Sequence, residues 1–219
     1  WEAPRLQWPG GTHLNFFPNP NSPTGTILSE YELELLADDL APAPLVIDEA
    51  YADFAAWNWL RPQFEHEPAP NVVVTRTMSK SYALAGIRFG FAVADPAAVR
   101  ELVKVKDSYN CDVLSLAAAT AAIEDQDYFR EVRAKIIATR ERMTRELAAL
   151  GFDVTPSHAN FVWCRRSDRP VKPISEALKA RKILVRYMSY AAGPVGSPDG
   201  PYEGLRISVG TDAEIDTLL

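Results

Sequence analysis

Residues 71–76 read Asn-Val-Val-Val-Thr-Arg, and this run constrains the fold more than any other stretch. β-Branched side chains are stiff at χ1 and suit a buried strand bounded by turn residues. The run leads straight into Thr77-Met78-Ser79-Lys80-Ser81, then through Gly86 to Arg88. Lys80 is therefore delivered at a strand's C-terminal end, among small and apolar neighbours. A lysine wrapped in such residues is desolvated, which is the environment a Schiff-base lysine uses. Alone, Lys80 reads far more readily as an exposed loop lysine at a helix start, since lysines are mostly exposed.

A second apolar run, Leu45-Val46-Ile47, ends at Asp48-Glu49-Ala50-Tyr51. Carboxylates at the C-terminal end of a buried strand fit a parallel α/β sheet, whose ligands sit outside those ends. A third strand is expected over 13–17, closed by Pro18 and the rigid turn Asn19-Pro20-Asn21-Ser22-Pro23-Thr24-Gly25. Two prolines and a glycine in that space exclude a helix or a central strand. Ser29 with Glu32 forms a capping box for a helix to about Leu40. Residues 52–70 read as an irregular excursion, and 88–94 as another apolar strand. Helices are expected from Pro96 to Lys106, Leu114 to Glu124 and Asp127 to Leu150, the last ended by Gly151.

Beyond Gly151 the pattern changes. Strands at 152–155 and 160–164, a helix over 171–181, strands at 183–186 and 205–209, and a helix capped by Asp212 describe a small α+β domain. The sequence thus predicts an α/β chain in two parts, residues 1–140 from a large, mostly parallel-sheet domain and 141–219 a small C-terminal one. Composition is ordinary for a soluble globular protein: 47% hydrophobic and 24% charged residues, with no apolar run of membrane-span length. The net charge of -6 argues against a nucleic-acid surface. No export signal is visible, and Cys111 and Cys164 are far apart, which suits a reducing compartment and no disulfide or zinc. His13, His66 and His158 show no metal-ligand spacing.

Taken singly, Asp48 could be a loop carboxylate, Tyr51 a packing residue and Arg206 a solvent-facing strand residue. Taken together with NPNSPTG, VIDEAYADF, TMSKSYALAGIRFGF, SHANFVW, ILVR and LRISVGT, they make a sequence that resembles the fold type I pyridoxal-phosphate enzymes. The histidinol-phosphate aminotransferase branch is the nearest. The resemblance implies a pyridoxal 5'-phosphate-dependent transferase fold and residue roles to go with it. Lys80 would form the internal aldimine and shuttle a proton. Asp48 would face the pyridine nitrogen, Tyr51 the ring oxygen, and Ser79 and Arg88 the phosphate. Arg206, helped by Arg186, would grip the anionic end of a small-molecule substrate, with Asn160 close by. It also implies a cytoplasmic homodimer of histidine biosynthesis that binds neither nucleic acid nor membrane.

Two departures from the family pattern stand out. The usual asparagine before Pro-Thr-Gly is Ser22, so either Ser22 or Asn21 would contact the cofactor. The family's N-terminal segment, with its phosphate-binding helix start and ring-stacking aromatic, is not recognisable. Aromatic amino-acid transamination, threonine-phosphate decarboxylation and a non-catalytic cofactor-sensing domain remain alternative readings of the same residues.

Overall fold

The structure, a computed structural model, describes residues 14–60, 69–191 and 202–219. The expected opening loop, the first residue of the 13–17 strand and much of the 52–70 excursion lie outside them. The chain packs as two compact units, divided between Arg133 and Ala134 inside one long helix. The sequence places the division near Arg140, later in the same helix.

The first unit takes in Ile27–Arg133 and the described residues up to Asn21. Its sheet holds β1 (Asn15–Pro18), β2 (Leu45–Asp48), β3 (Val72–Thr77) and β4 (Gly90–Ala94), in that spatial order. The first three strands are parallel, and β4 returns antiparallel on the edge. Leu45, Ile47, Val72 and Val74 turn one way and are buried, while Val46 and Val73 on the other face are half-buried. Helix α1 (Glu30–Leu40) joins β1 to β2 and buries Leu33, Leu36 and Ala37. Its capping box is complete, with Ser29 Oγ accepting from the Glu32 N–H and Glu32 Oε2 accepting from the Ser29 N–H at 2.7 Å. Such a cap is worth about 1 kcal/mol. Helices α2 (Pro96–Val105) and α3 (Val113–Glu124) follow, capped by Asp95 and Asp112, and α4 (Gln126–Ala149) begins here.

The second unit comprises Ala134–Leu219 with Ser22–Thr26. Strands β5 (Asp153–Thr155), β6 (Phe161–Arg165), β7 (Arg186–Tyr190) and β8 (Tyr202–Ser208) form an antiparallel sheet ordered β5-β6-β8-β7. One face packs Val162, Cys164, Leu205 and Ile207 against Met143 and Leu147 of α4 and Ile215 of α6 (Asp212–Leu218). Helix α4 ends in a Schellman motif: Gly151, at φ +84°, donates to the Ala148 carbonyl and Phe152 to the Leu147 carbonyl.

Two expectations are corrected here. The strand read at 183–186 starts only at Arg186. Helix α5 (Lys172–Ala180) also ends in a Schellman motif, with Lys182 at φ +65° and the Ile183 N–H on the Leu178 carbonyl, so these residues close the helix. The cap of α6 is Thr211, whose Oγ1 accepts from the Glu214 N–H, and Asp212 is the first helical residue. No helix among the described residues is long and apolar enough to cross a membrane.

Candidate active site

Three parallel strands end side by side in the first unit. Pro18 pairs with Asp48, and Asp48 with Thr75. Beyond the ladder, the Asn19 N–H donates to the Asp48 carbonyl at 2.9 Å and the Glu49 N–H to the Thr75 carbonyl at 3.0 Å. The Asn19 side chain is buried, and its Oδ1 accepts from the Leu28 N–H at 2.9 Å. The start of the proline turn is thereby fixed to the strand that carries Asp48. Asp48 itself is exposed, with Oδ1 accepting the Ala50 N–H at 3.0 Å and Oδ2 accepting no bond among the described residues. This is the edge at which open α/β sheets bind ligands.

Residues 78–89 connect β3 to β4 as a closed loop. The Met78 N–H donates to the Phe89 carbonyl at 3.1 Å and the Leu84 N–H to the Met78 carbonyl at 3.0 Å. Gly90 lets β4 start close to β3, since a Cβ there would stand 2.7 Å from the Arg76 carbonyl oxygen. Within this loop Ala83 and Arg88 adopt φ of +55° and +53°. Left-handed backbone at non-glycine residues is strained, and such strain gathers at functional sites. Lys80 Nζ lies 5.3 Å from the centroid of the Tyr51 ring, so the lysine and the phenol share one place at the sheet edge. Arg88 is exposed, with Nη1 on the Ala85 carbonyl at 3.0 Å, and the Ser79 N–H donates to Thr77 Oγ1 at 3.1 Å.

The desolvated surroundings expected for Lys80 are not what the loop provides. Lys80 is exposed, and its neighbours Met78 and Ser81 turn inward. Beneath it lie ionic groups that sequence reading did not single out for a role. Glu49 is 1% exposed and pairs through Oε2 with Arg76 Nε at 2.9 Å. Arg76 Nη1 reaches Asp53 Oδ1 at 2.5 Å, and Ser81 Oγ donates to Asp53 Oδ2. Burial pushes the Glu49 carboxyl above its ordinary range, opposed by Arg76 and by the Trp59 and Leu60 N–H groups.

In the second unit, Arg206 and Arg186 are directly opposed across β8 and β7. Like charges in that register repel, so the pair is costly unless an anion lies between them. Arg206 Nη1 donates to Ser22 Oγ at 2.9 Å, and its guanidinium carbon is 5.0 Å from the Phe161 ring. Arg206 Nε is buried and makes no hydrogen bond among the described residues. Asn160 is half-buried just before β6, its carbonyl accepting the Val209 N–H at 2.9 Å. The sequence-derived residues thus fall into two groups: Asn21, Asp48, Tyr51, Ser79, Lys80 and Arg88 in one unit, and Ser22, Asn160, Arg186 and Arg206 in the other.

The family model for aminotransferase class I and II matches residues 10–219. Histidinol-phosphate aminotransferase of Rhodopirellula baltica is 52% identical over 221 residues, covering 100% of this chain and 58% of that protein. The enzyme of that name from Syntrophotalea carbinolica is 47% identical over 206 residues, covering 94% and 56%. Among solved structures, histidinol-phosphate aminotransferase from Sinorhizobium meliloti in complex with pyridoxal-5'-phosphate matches with a TM-score of 0.82 at 32% identity, over 94% of this chain and 55% of that one. The chain spans a little over half the length of the relatives it matches. The agreement nevertheless takes in every described element from β1 to α6, and the chain belongs to the class I and II aminotransferase family.

Proposed function

We propose that this chain carries the lysine and the anion-binding arginines of a pyridoxal 5'-phosphate-dependent aminotransferase. Its substrates are histidinol phosphate and 2-oxoglutarate, in histidine biosynthesis. The observation that carries the reading is the shared sheet edge at which Asp48, Tyr51 and Lys80 follow adjacent parallel strands, with Lys80 Nζ 5.3 Å from the Tyr51 ring. The relatives' names support the choice of substrate. The protein is proposed to act as a cytoplasmic homodimer.

The donor set fits the cofactor. Lys80 offers an amine for its aldehyde, Asp48 a carboxylate with an open oxygen for its pyridine nitrogen, and Tyr51 a phenol for its ring oxygen. Ser79 and Arg88 offer a hydroxyl and a guanidinium for its phosphate. When bound, the cofactor supplies an electron sink for the pair left as the substrate Cα–H bond breaks. Lys80 Nζ would take the substrate Cα proton and return it to the carbon that carried the cofactor's aldehyde. The Asp48 carboxylate would face the pyridine nitrogen and favour its protonated form. Arg206, with Arg186 opposite, pairs with the doubly charged phosphate of histidinol phosphate or the carboxylates of glutamate, and Asn160 borders that anion.

The test is a set of half-reactions on the complete protein. Histidinol phosphate, phenylalanine and threonine phosphate would each be mixed with the cofactor-loaded enzyme. Conversion to the amine form of the cofactor should be fastest with histidinol phosphate, and Lys80→Ala should leave no borohydride-trapped adduct. Release of carbon dioxide from threonine phosphate, or no adduct in the wild type, would overturn the reading.

A further inference from the structure

Asp48 and Lys80 each have a chain neighbour that points the other way, into the unit. Glu49 follows Asp48 and is 1% exposed; Ser81 follows Lys80 and is 8% exposed. Between them runs an unbroken series of charge-assisted hydrogen bonds. Glu49 Oε2 accepts from Arg76 Nε at 2.9 Å, Arg76 Nη1 donates to Asp53 Oδ1 at 2.5 Å, and Ser81 Oγ donates to Asp53 Oδ2. Both ends are tied down. Glu49 Oε1 accepts the Trp59 N–H, and Arg133 donates to the carbonyls of Asp53 and Ala55.

We propose that Glu49, Arg76, Asp53 and Ser81 are positioning residues that set Lys80 in register with Asp48. The inference rests on reading those two as cofactor residues. Stability alone does not explain the series. Buried ion pairs are often no better than apolar packing of the same volume, and one whose partners fix direction provides geometry instead. Lys80 needs that geometry, because its loop runs through left-handed backbone at Ala83 and Arg88 and its side chain is exposed. Ser81 is the link that reaches the lysine. Its hydroxyl donates to Asp53, and that carboxylate is oriented by Arg76.

The cofactor's aldehyde and its amine form separate this role from simple folding. With the aldehyde, Lys80 Nζ bonds the aldehyde carbon, whose oxygen leaves as water. The amine form makes no bond to Lys80. In the complete protein, Ser81→Ala should slow formation of the borohydride-trapped Lys80 adduct about tenfold or more, as the loss of one hydrogen bond to a charged group predicts. Affinity for pyridoxamine phosphate should stay near wild type. Ser81→Thr, which keeps the hydroxyl, should restore the rate, and Asp53→Asn should behave like Ser81→Ala. Equal loss of affinity for both cofactor forms would show a structural role only and overturn the proposal, as would a wild-type adduct rate in Ser81→Ala. If the wild type itself forms no adduct, the functional reading fails first, and the two failures are distinct.

Discussion

Arg206 donates a hydrogen bond from Nη1 to Ser22 Oγ at 2.9 Å, joining the strand β8 to the turn where the family has asparagine. The serine left open by sequence alone, as a stand-in on the cofactor, is engaged here with Arg206, the arginine proposed to bind the substrate's anion. A hydroxyl that accepts from a guanidinium still has its own proton to donate to an anion. Ser22→Ala should therefore raise KM for histidinol phosphate about tenfold, with kcat changed much less, because a bond to a charged group is worth roughly 1.5–3 kcal/mol. Arg206→Ala should lower kcat/KM further, by about a hundredfold or more. Steady-state kinetics of the two variants and the double variant would show the pair acting as a unit.

Gly25 lies three residues beyond Ser22 and holds the turn in place. Its φ is +76°, and a Cβ there would run into Ser157. Its carbonyl accepts the His158 N–H at 2.7 Å. Gly25→Ala should destabilise the protein by more than about 1 kcal/mol, the usual cost where alanine must take positive φ. It should also raise KM in the same direction as Ser22→Ala. Thermal unfolding and KM measured on one preparation would test both, and an unchanged KM would separate the turn from Arg206.

Much of the fold is written in local signals. The Ser29–Glu32 box, Gly151 and the prolines around 18–23 each mark an element end by chemistry that needs no tertiary partner. Lys182 closes a helix in the way Gly151 does, but lysine carries no such signal, so local pattern alone puts the start of the following strand too early. The opposition of Arg186 and Arg206 depends on β8 lying between β6 and β7. That order is set by packing of Leu205 and Ile207 against α4 and α6, not by spacing. The series from Glu49 to Ser81 is harder still. Glu49 sits just past β2, Asp53 in a short 3-10 turn, Arg76 on β3 and Ser81 in the loop after it, and each looks like an ordinary charged or small residue until the strands are in register. The exposure of Lys80 has no local sequence signal, because small and apolar neighbours mark the loop as buried while only Met78 and Ser81 face inward.

Asp48 tests the chemistry at the strand end. Asp48→Asn keeps the side-chain shape and the oxygen that accepts from Ala50, but removes the charge. Loss of one preorganised charged group at a reacting centre commonly costs roughly 100- to 1,000-fold in kcat. The half-reaction with histidinol phosphate should slow by that order, while the borohydride-trapped adduct still forms, since Lys80 is intact. A variant within threefold of wild type would remove Asp48 from the chemistry.

Cys164 gives a pH dependence whose sign is fixed by its surroundings. It is buried on β6 against Val162, Leu205 and Met143, and burial pushes its thiol up to about 12 from 9.0. The folded chain therefore keeps a proton that the unfolded chain loses once pH passes about 9, near the ordinary cysteine value. By linkage, the stability this thiol contributes is whole below pH 9 and falls as pH rises towards 12. Across that window the loss approaches about 4 kcal/mol, at 1.36 kcal/mol per pKa unit. Denaturant unfolding of the wild type and Cys164→Ala at a series of pH values would isolate it. Alanine costs stability at every pH through the cavity it leaves, but its curve should fall less steeply above pH 9. Parallel slopes would mean the thiolate is tolerated in the core. The same burial predicts that a thiol reagent at pH 8 modifies Cys111, which is half-exposed, and spares Cys164 until the protein unfolds.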